Sequence, residues 1–69
     1  MSNGKTLRDA RRAAGWTQME LSAKSGVSQT YISDLETESL TNPTIDVLRR
    51  LEKALRCRLR FSGQPLRAA

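Results

Sequence analysis

The sequence predicts a mostly α-helical domain of four to five short helices, closed by one C-terminal strand. Three observations carry that prediction. Hydroxyl residues followed three places later by an acid, Thr6 with Asp9 and Thr17 with Glu20, have the spacing of capping boxes that start helices. After each of them apolar residues recur at the spacing of a helix with one buried face. Beyond Leu55 the period falls from 3.6 to 2: in Arg56-Cys57-Arg58-Leu59-Arg60-Phe61 arginine alternates strictly with apolar residues, the pattern of a strand with one buried face.

A chain of 69 residues allows one domain, and a chain this short buries only ~60% of the surface it exposes when unfolded, so a second copy would help it. Twelve Lys and Arg against seven Asp and Glu give a net charge of +5, which suits a polyanionic partner, most economically nucleic acid; a merely soluble basic surface is the plain alternative. There is no His, and the single Cys57 leaves no zinc constellation and no intrachain disulfide. Without His for general acid/base work and without a glycine-rich phosphate loop, an enzyme is not expected, nor any metal or cofactor. No apolar run approaches the ~20 residues that span a bilayer, and Met1 to Lys5 lacks the regions of a signal peptide, so a cytoplasmic, nucleoid-associated location with no membrane partner is expected.

Residues 1–5 are polar and aperiodic and read as a flexible arm. The first helix, from about 7 to 14, carries Leu7, Ala10 and Ala14 on one stripe and stops at Gly15. Trp16 precedes the second capping box and is placed to fold back as an apolar plug. The second helix, about 18 to 25, turns Leu21, Ser22 and in part Met19 inward. Gly26 is where a positive φ is cheapest, Val27 anchors the turn, and Ser28 is a natural N-cap for a third helix, about 28 to 36. Ile32 and Leu35 point inward there, which leaves Gln29, Thr30, Ser33 and Asp34 facing out. Amides and hydroxyls on such a face suit base edges, whereas long cations mostly serve phosphates. Two short helices around a turn, the second with a polar outer face, describe a helix-turn-helix reader of DNA.

Pro43 cannot lie inside a helix, so Thr44 is the expected N-cap of the fourth, whose stripe is Val47, Leu48, Leu51, Ala54 and Leu55. Asp46 with Arg50 and Glu52 with Arg56 have favourable i, i+4 spacing. The strand over 57–62 has no strand partner in its own chain, and the simplest remedy is the same strand of a second copy about a twofold axis, with Cys57, Leu59 and Phe61 as the dimer interface. The expected organisation is thus an arm at 1–5, a DNA-binding domain at 6–56, a dimerisation strand at 57–62 and a flexible tail at 63–69.

Arg11, Gly15-Trp16-Thr17-Gln18, Leu21, Gly26-Val27-Ser28, Ile32, Leu35-Glu36 and Asn42-Pro43-Thr44 together give the sequence a resemblance to the lambda-repressor-like (Xre-type) helix-turn-helix family, over residues from about 7 to 55. With Gly-Trp-Thr-Gln followed by a C-terminal apolar/Arg strand, it looks most like the HipB-like antitoxins, which are typically dimers that repress their own operon and bind a cognate toxin. The resemblance implies that Gln18 grips a phosphate and braces Gln29, and that Gln29 and Thr30 read bases, with Ser33 and Asp34 at further reading positions. It also implies that Ser28 lies close to DNA, and that Asn42 and Thr44 offer phosphate contacts; Thr17 and Tyr31 join this backbone-binding set, Tyr31 either as phosphate donor or as part of the packing. Arg11 and Glu36 are implied as a structural ion pair.

The chemistry of Gln29 agrees independently, since a Gln amide presents a donor and an acceptor side by side and can engage adenine N6 and N7 together. Three residues depart from the family pattern. Asp34 stands where many relatives have a cation, and either rejects phosphate, accepts from cytosine N4 or binds a neighbouring side chain. Glu38 replaces a usual glycine, and Ser25 replaces a common core aliphatic. The expected function is a homodimeric, sequence-specific repressor of a near-palindromic operator, in the setting of a HipBA-like toxin-antitoxin operon. The alternatives are a module whose main role is neutralising a toxin, with the face of Arg56, Arg58 and Arg60 as candidate surface, and a stand-alone phage-type repressor.

Overall fold

The computed structural model describes residues 4–66. Four helices follow in order: α1 (Leu7–Ala13), α2 (Gln18–Ser25), α3 (Gln29–Glu36) and α4 (Ile45–Leu55). Each begins on a hydroxyl N-cap. The side chains of Thr6, Thr17, Ser28 and Thr44 accept from the backbone amides of Asp9, Glu20, Tyr31 and Val47 at 3.1 to 3.2 Å, satisfying amides that an N-terminus otherwise leaves free. Only the box at Thr17 is reciprocal, the Glu20 carboxylate accepting in turn from the Thr17 amide at 2.9 Å.

The helices close around Leu7 and Ala10 of α1, Leu21 of α2, Val27 in the turn, Ile32 and Leu35 of α3, Leu51 of α4, and Leu59 beyond it. Most of the α4 stripe is shared with the surface: Leu51 is fully buried, while Val47, Leu48, Ala54 and Leu55 are half-buried against the core. Met19, expected partly inward, is 67% exposed; the inner face of α2 is instead Leu21 with Ser25, whose hydroxyl oxygen accepts from the Val27 amide at 3.2 Å. That bond explains how a buried serine replaces an aliphatic residue here, because its oxygen ties the turn.

α2 ends at Gly26, where φ is +75°, and the turn into α3 needs that left-handed step. The chain makes two more such steps on residues that resist them, Glu38 at φ +62° and Arg56 at φ +54°. The step at Arg56 ends α4 and redirects the chain. It also rearranges the expected ion pairs: Asp46 and Arg50 meet at 3.0 Å, whereas the Glu52 carboxylate accepts from the Leu59 backbone amide at 2.9 Å in place of pairing with Arg56.

The C-terminal segment departs from the expected strand. Its alternation is as read, with Arg56, Arg58 and Arg60 exposed, Leu59 buried, and Cys57 and Phe61 half-buried. The three apolar side chains, however, pack on the core of their own chain. Among the described residues the segment forms a single parallel bridge, to Lys5, through Lys5 N–H donating to the Arg58 carbonyl and Arg60 N–H donating to the Lys5 carbonyl, both at 3.0 Å. A partner thus exists within the chain, in the stretch expected to be a loose arm; residues 1–3 lie outside the described residues. Gly63 and Leu66, expected in a flexible tail, are also bonded. Gly63 donates to Thr41, and Leu66 bridges Pro43 and Ile45 by donating to the first at 2.7 Å and accepting from the second at 2.8 Å, which satisfies a free first-turn amide of α4. Residues 67–69 are not described. No helix among the described residues is long and apolar enough to cross a membrane.

Candidate nucleic-acid interface

α3 is held from behind and open in front. Ile32 is fully buried and Leu35 nearly so, three residues apart on one face, and this fixes the helix's rotation about its axis. The opposite face then presents Gln29 and Thr30 as exposed side chains, with Ser33 and Asp34 half-buried one turn on. The four expected base-reading residues are therefore brought to one side of one helix. None of them is cationic.

The three N-caps that start α2, α3 and α4 carry the expected backbone-binding residues Thr17, Ser28 and Thr44. Each hydroxyl accepts from its own helix, so its proton remains free to donate outward to a phosphate oxygen. Tyr31 takes the packing role of the two expected for it. Its ring packs against the core, and its hydroxyl oxygen accepts from the Thr44 amide at 3.4 Å, linking α3 to the start of α4 while leaving the phenolic proton to donate. Asn42 lies half-buried in the loop ahead of that same N-terminus.

Arg11 and Glu36 form the ion pair that the resemblance implied, and it is more extensive than a pair. Arg11 Nε donates to Glu36 Oε2 at 2.7 Å and Arg11 Nη2 donates to Oε1 at 3.0 Å, a two-pronged contact, while Nη1 donates to the Trp16 carbonyl at 2.8 Å. Gln18 adds a third donor to Glu36 at 3.2 Å, and Arg8 a longer one at 3.5 Å. The Glu36 side chain is 0% exposed and Arg11 13%. Burial works to raise the Glu36 carboxyl, but the hydrogen bonds from Arg11 and Gln18 and the Arg11 charge outweigh it and hold the group below the usual carboxylate range. The same bond from Arg11 raises that guanidinium further. The Glu20 carboxyl is also lowered, by the Thr17 amide and hydroxyl of the capping box.

Gln18 thus has a contact that the sequence did not suggest, on Glu36. A carboxylate only accepts, so the Gln18 side chain gives Glu36 one hydrogen of its NH₂ group, which leaves the second hydrogen and the amide carbonyl for other contacts. The parts that sequence reasoning missed, Arg8 and Gln18 on Glu36 and Glu52 on Leu59, join residues up to 28 positions apart. The only local signal was the i, i+3 spacing of Arg8 and Arg11, which puts two cations on one side of α1.

The helix-turn-helix family matches residues 7–61. The regulator SinR of Bacillus subtilis, named as an HTH-type transcriptional regulator, is 33% identical over 52 residues, 75% of this chain and 47% of that protein. An uncharacterized HTH-type transcriptional regulator of Sinorhizobium fredii, y4dJ, is 44% identical over 52 residues, 75% of this chain and 66% of that protein. The chain therefore spans about half the length of SinR and about two thirds of y4dJ. No solved structure matches it. With the matched region running from the first residue of α1 to the end of the C-terminal segment, this chain belongs to the helix-turn-helix family.

Proposed function

We propose that this protein is a sequence-specific DNA-binding transcriptional repressor that acts as a homodimer on a near-palindromic operator. In this reading α3 lies in the major groove, with Gln29 and Thr30 reading base edges, Ser33 and Asp34 at the rim of the reading face, and Gln18, Thr17, Ser28, Tyr31, Asn42 and Thr44 holding the phosphates on either side. The observation that carries it is the outer face of α3: exposed amide and hydroxyl side chains, Gln29 and Thr30, on a helix pinned by two buried ones and started by a capped N-terminus. The names of the relatives support the regulatory part. No step of this function asks for catalysis.

The finer reading is an antitoxin that represses its own HipBA-like operon and binds a toxin. It is supported by the Gly15-Trp16-Thr17-Gln18 run and by the Arg/apolar segment after α4. Dimerisation is proposed through that segment, where half-buried Cys57 and Phe61 remain to be covered while Leu59 is already taken into its own core. Copurification from the native cell distinguishes the antitoxin, which brings a stoichiometric protein partner, from a regulator that works alone.

The test is selection of bound sequences from a random duplex pool, followed by titration of the selected site. Gln29→Ala is expected to cost ~1 to 3 kcal/mol on that site and to relax preference at one base pair per half-site, with affinity for random duplex unchanged. A wild-type protein with no sequence preference, or a Gln29→Ala protein that keeps all of it, sinks the reader role.

A further inference from the structure

The DNA-reading proposal uses the starts of α2, α3 and α4. It leaves unexplained what lies at the other ends of α2 and α4. There a groove of about 760 Å³ is lined by Ala14, Trp16, Lys24 and Ser25 on one side and by Arg50, Lys53, Ala54, Leu55 and Arg56 on the other. Four of its lining side chains, Lys24, Arg50, Lys53 and Arg56, are cationic and exposed, and none is acidic. Half-buried Trp16, Ala54 and Leu55 supply the apolar part.

The cations are arranged as well as numerous. The Lys24 ammonium sits 4.9 Å from the centroid of the Trp16 ring, which holds a charge over one wall. Arg50 is turned so that its Nη1 atom lies 3.3 Å from where a Cβ on Gly26 would be, while its Nε atom is held by Asp46 at 3.0 Å, so the guanidinium is fixed over the turn. Lys24 and Lys53 stand in the last turns of their helices, where a cation opposes the helix dipole, and taken singly that would account for each. It does not account for four cations converging on a concave surface with a tryptophan wall.

We infer that this groove is a docking site for an acidic segment of another polypeptide, carboxylates meeting Lys24, Arg50, Lys53 and Arg56 while one apolar side chain of the segment inserts beside Trp16 and Leu55. Charge decides the class of occupant: Arg50 shares its charge with Asp46, but Lys24, Lys53 and Arg56 form no salt bridge among the described residues, and a concave surface lined by these cations and by no acid selects an anion-rich partner. The apolar part decides against a nucleic-acid backbone, which has no side chain to fill it. Position agrees: at 1.5 Å per residue the groove begins, at Arg50, about 9 Å along α4 from Thr44 and continues to the helix's far end. A segment docked here leaves the proposed DNA-reading face open, and the inference does not depend on that reading.

The test uses Trp16, the only tryptophan of the chain, as its own reporter. The full protein is titrated with a synthetic Asp/Glu-rich peptide carrying one central Phe, and Trp16 emission is followed. The expected result is a saturable change that is weakened about fivefold or more by Lys53→Glu, less by Lys53→Gln, and about as strongly by replacing the peptide's Phe with Ser. Operator affinity, measured separately, is expected to be the same for wild type and both Lys53 variants, so loss of peptide binding is not mistaken for loss of DNA reading. No change in Trp16 emission, or a change indifferent to Lys53→Glu, overturns the inference. So does a random-sequence duplex that reproduces the emission change with the same dependence on Lys53, or an emission change on raising the protein concentration alone, which would assign the groove to phosphates or to a second copy.

Discussion

Glu36 shows most clearly what a single residue does in this fold. It is a carboxylate with no exposed side-chain surface, held ionised chiefly by Arg11, and burial is the largest single influence on it. Its folded-state pKa is lowered, so it contributes stability that is fully present above the usual carboxylate range and is lost as pH falls through the folded value. Arg11→Met removes the two closest donors and the charge that chiefly oppose burial. The stranded carboxylate is expected to cost ~3 to 5 kcal/mol at neutral pH, and the sign of the pH dependence is expected to invert. With burial, the largest influence on Glu36, then opposed only by Gln18 and the longer contact from Arg8, the folded pKa is expected to rise above the unfolded one, so the variant gains stability on mild acidification, where the wild type loses it. Urea midpoints between neutral pH and about pH 4 check this, since that window spans the ordinary Glu pKa; parallel curves for the two proteins would refute it. The ion pair was legible in the sequence only through resemblance, because nothing local joins residues 11 and 36. Gln18's place on Glu36 was not legible at all, since an amide at a helix start fits a phosphate or a neighbouring carboxylate equally well.

Arg56 supplies a second residue-scale prediction. Its left-handed φ of +54° costs a non-glycine residue roughly 1 to 2 kcal/mol, and glycine there gives back part of the gain in unfolded-chain entropy. Arg56→Gly is therefore expected to raise stability by about 0.5 to 1 kcal/mol, read as a higher thermal midpoint; a lower one would mean that the arginine's stem contributes more packing than the backbone strain costs. Glu38 adopts the same conformation at the position where the family pattern has glycine, so the departure noted in the sequence changes the residue and not the turn.

Among the elements, the four helices follow closely from the sequence because their signals are local: a hydroxyl cap, an apolar period and a stop, all within a dozen residues. The C-terminal segment was legible in its alternation and not in its pairing, which depends on Lys5, more than fifty residues away. The consequence is energetic. Leu59 is 8% exposed and belongs to the same core as Leu21 and Ile32, so the segment contributes to the fold of each chain before any second copy is considered. Leu59→Ala is expected to destabilise the protein by about 2 to 4 kcal/mol at every protein concentration. If Leu59 instead served an interface between chains, the loss would fade on dilution below the dimer's dissociation range, and guanidinium unfolding across a concentration series separates the two.

For the whole molecule, the proposed homodimer turns on which edge of the C-terminal segment is free. Arg58 and Arg60 direct their backbone groups to Lys5, so the groups of Cys57, Leu59 and Phe61 point the other way. A twofold pairing centred on Leu59 would need the Leu59 amide, and that amide already donates to Glu52 at 2.9 Å. Glu52 therefore competes with the proposed dimer for one hydrogen bond per chain, in the manner of edge strands blunted by a charged side chain. Glu52→Ala removes the competitor and is expected to tighten dimerisation about fivefold or more, taking ~1 kcal/mol for each hydrogen bond so released. In the proposed repressor, tighter dimerisation is in turn expected to raise operator affinity at low protein concentration, because two copies of α3 would then bind as one unit. Sedimentation equilibrium of wild type and Glu52→Ala reads the effect directly. A dimer constant that does not move would place the interface away from this edge, on the half-buried face of α4, and the alternating arginines would then serve only to keep the segment's outer side in water.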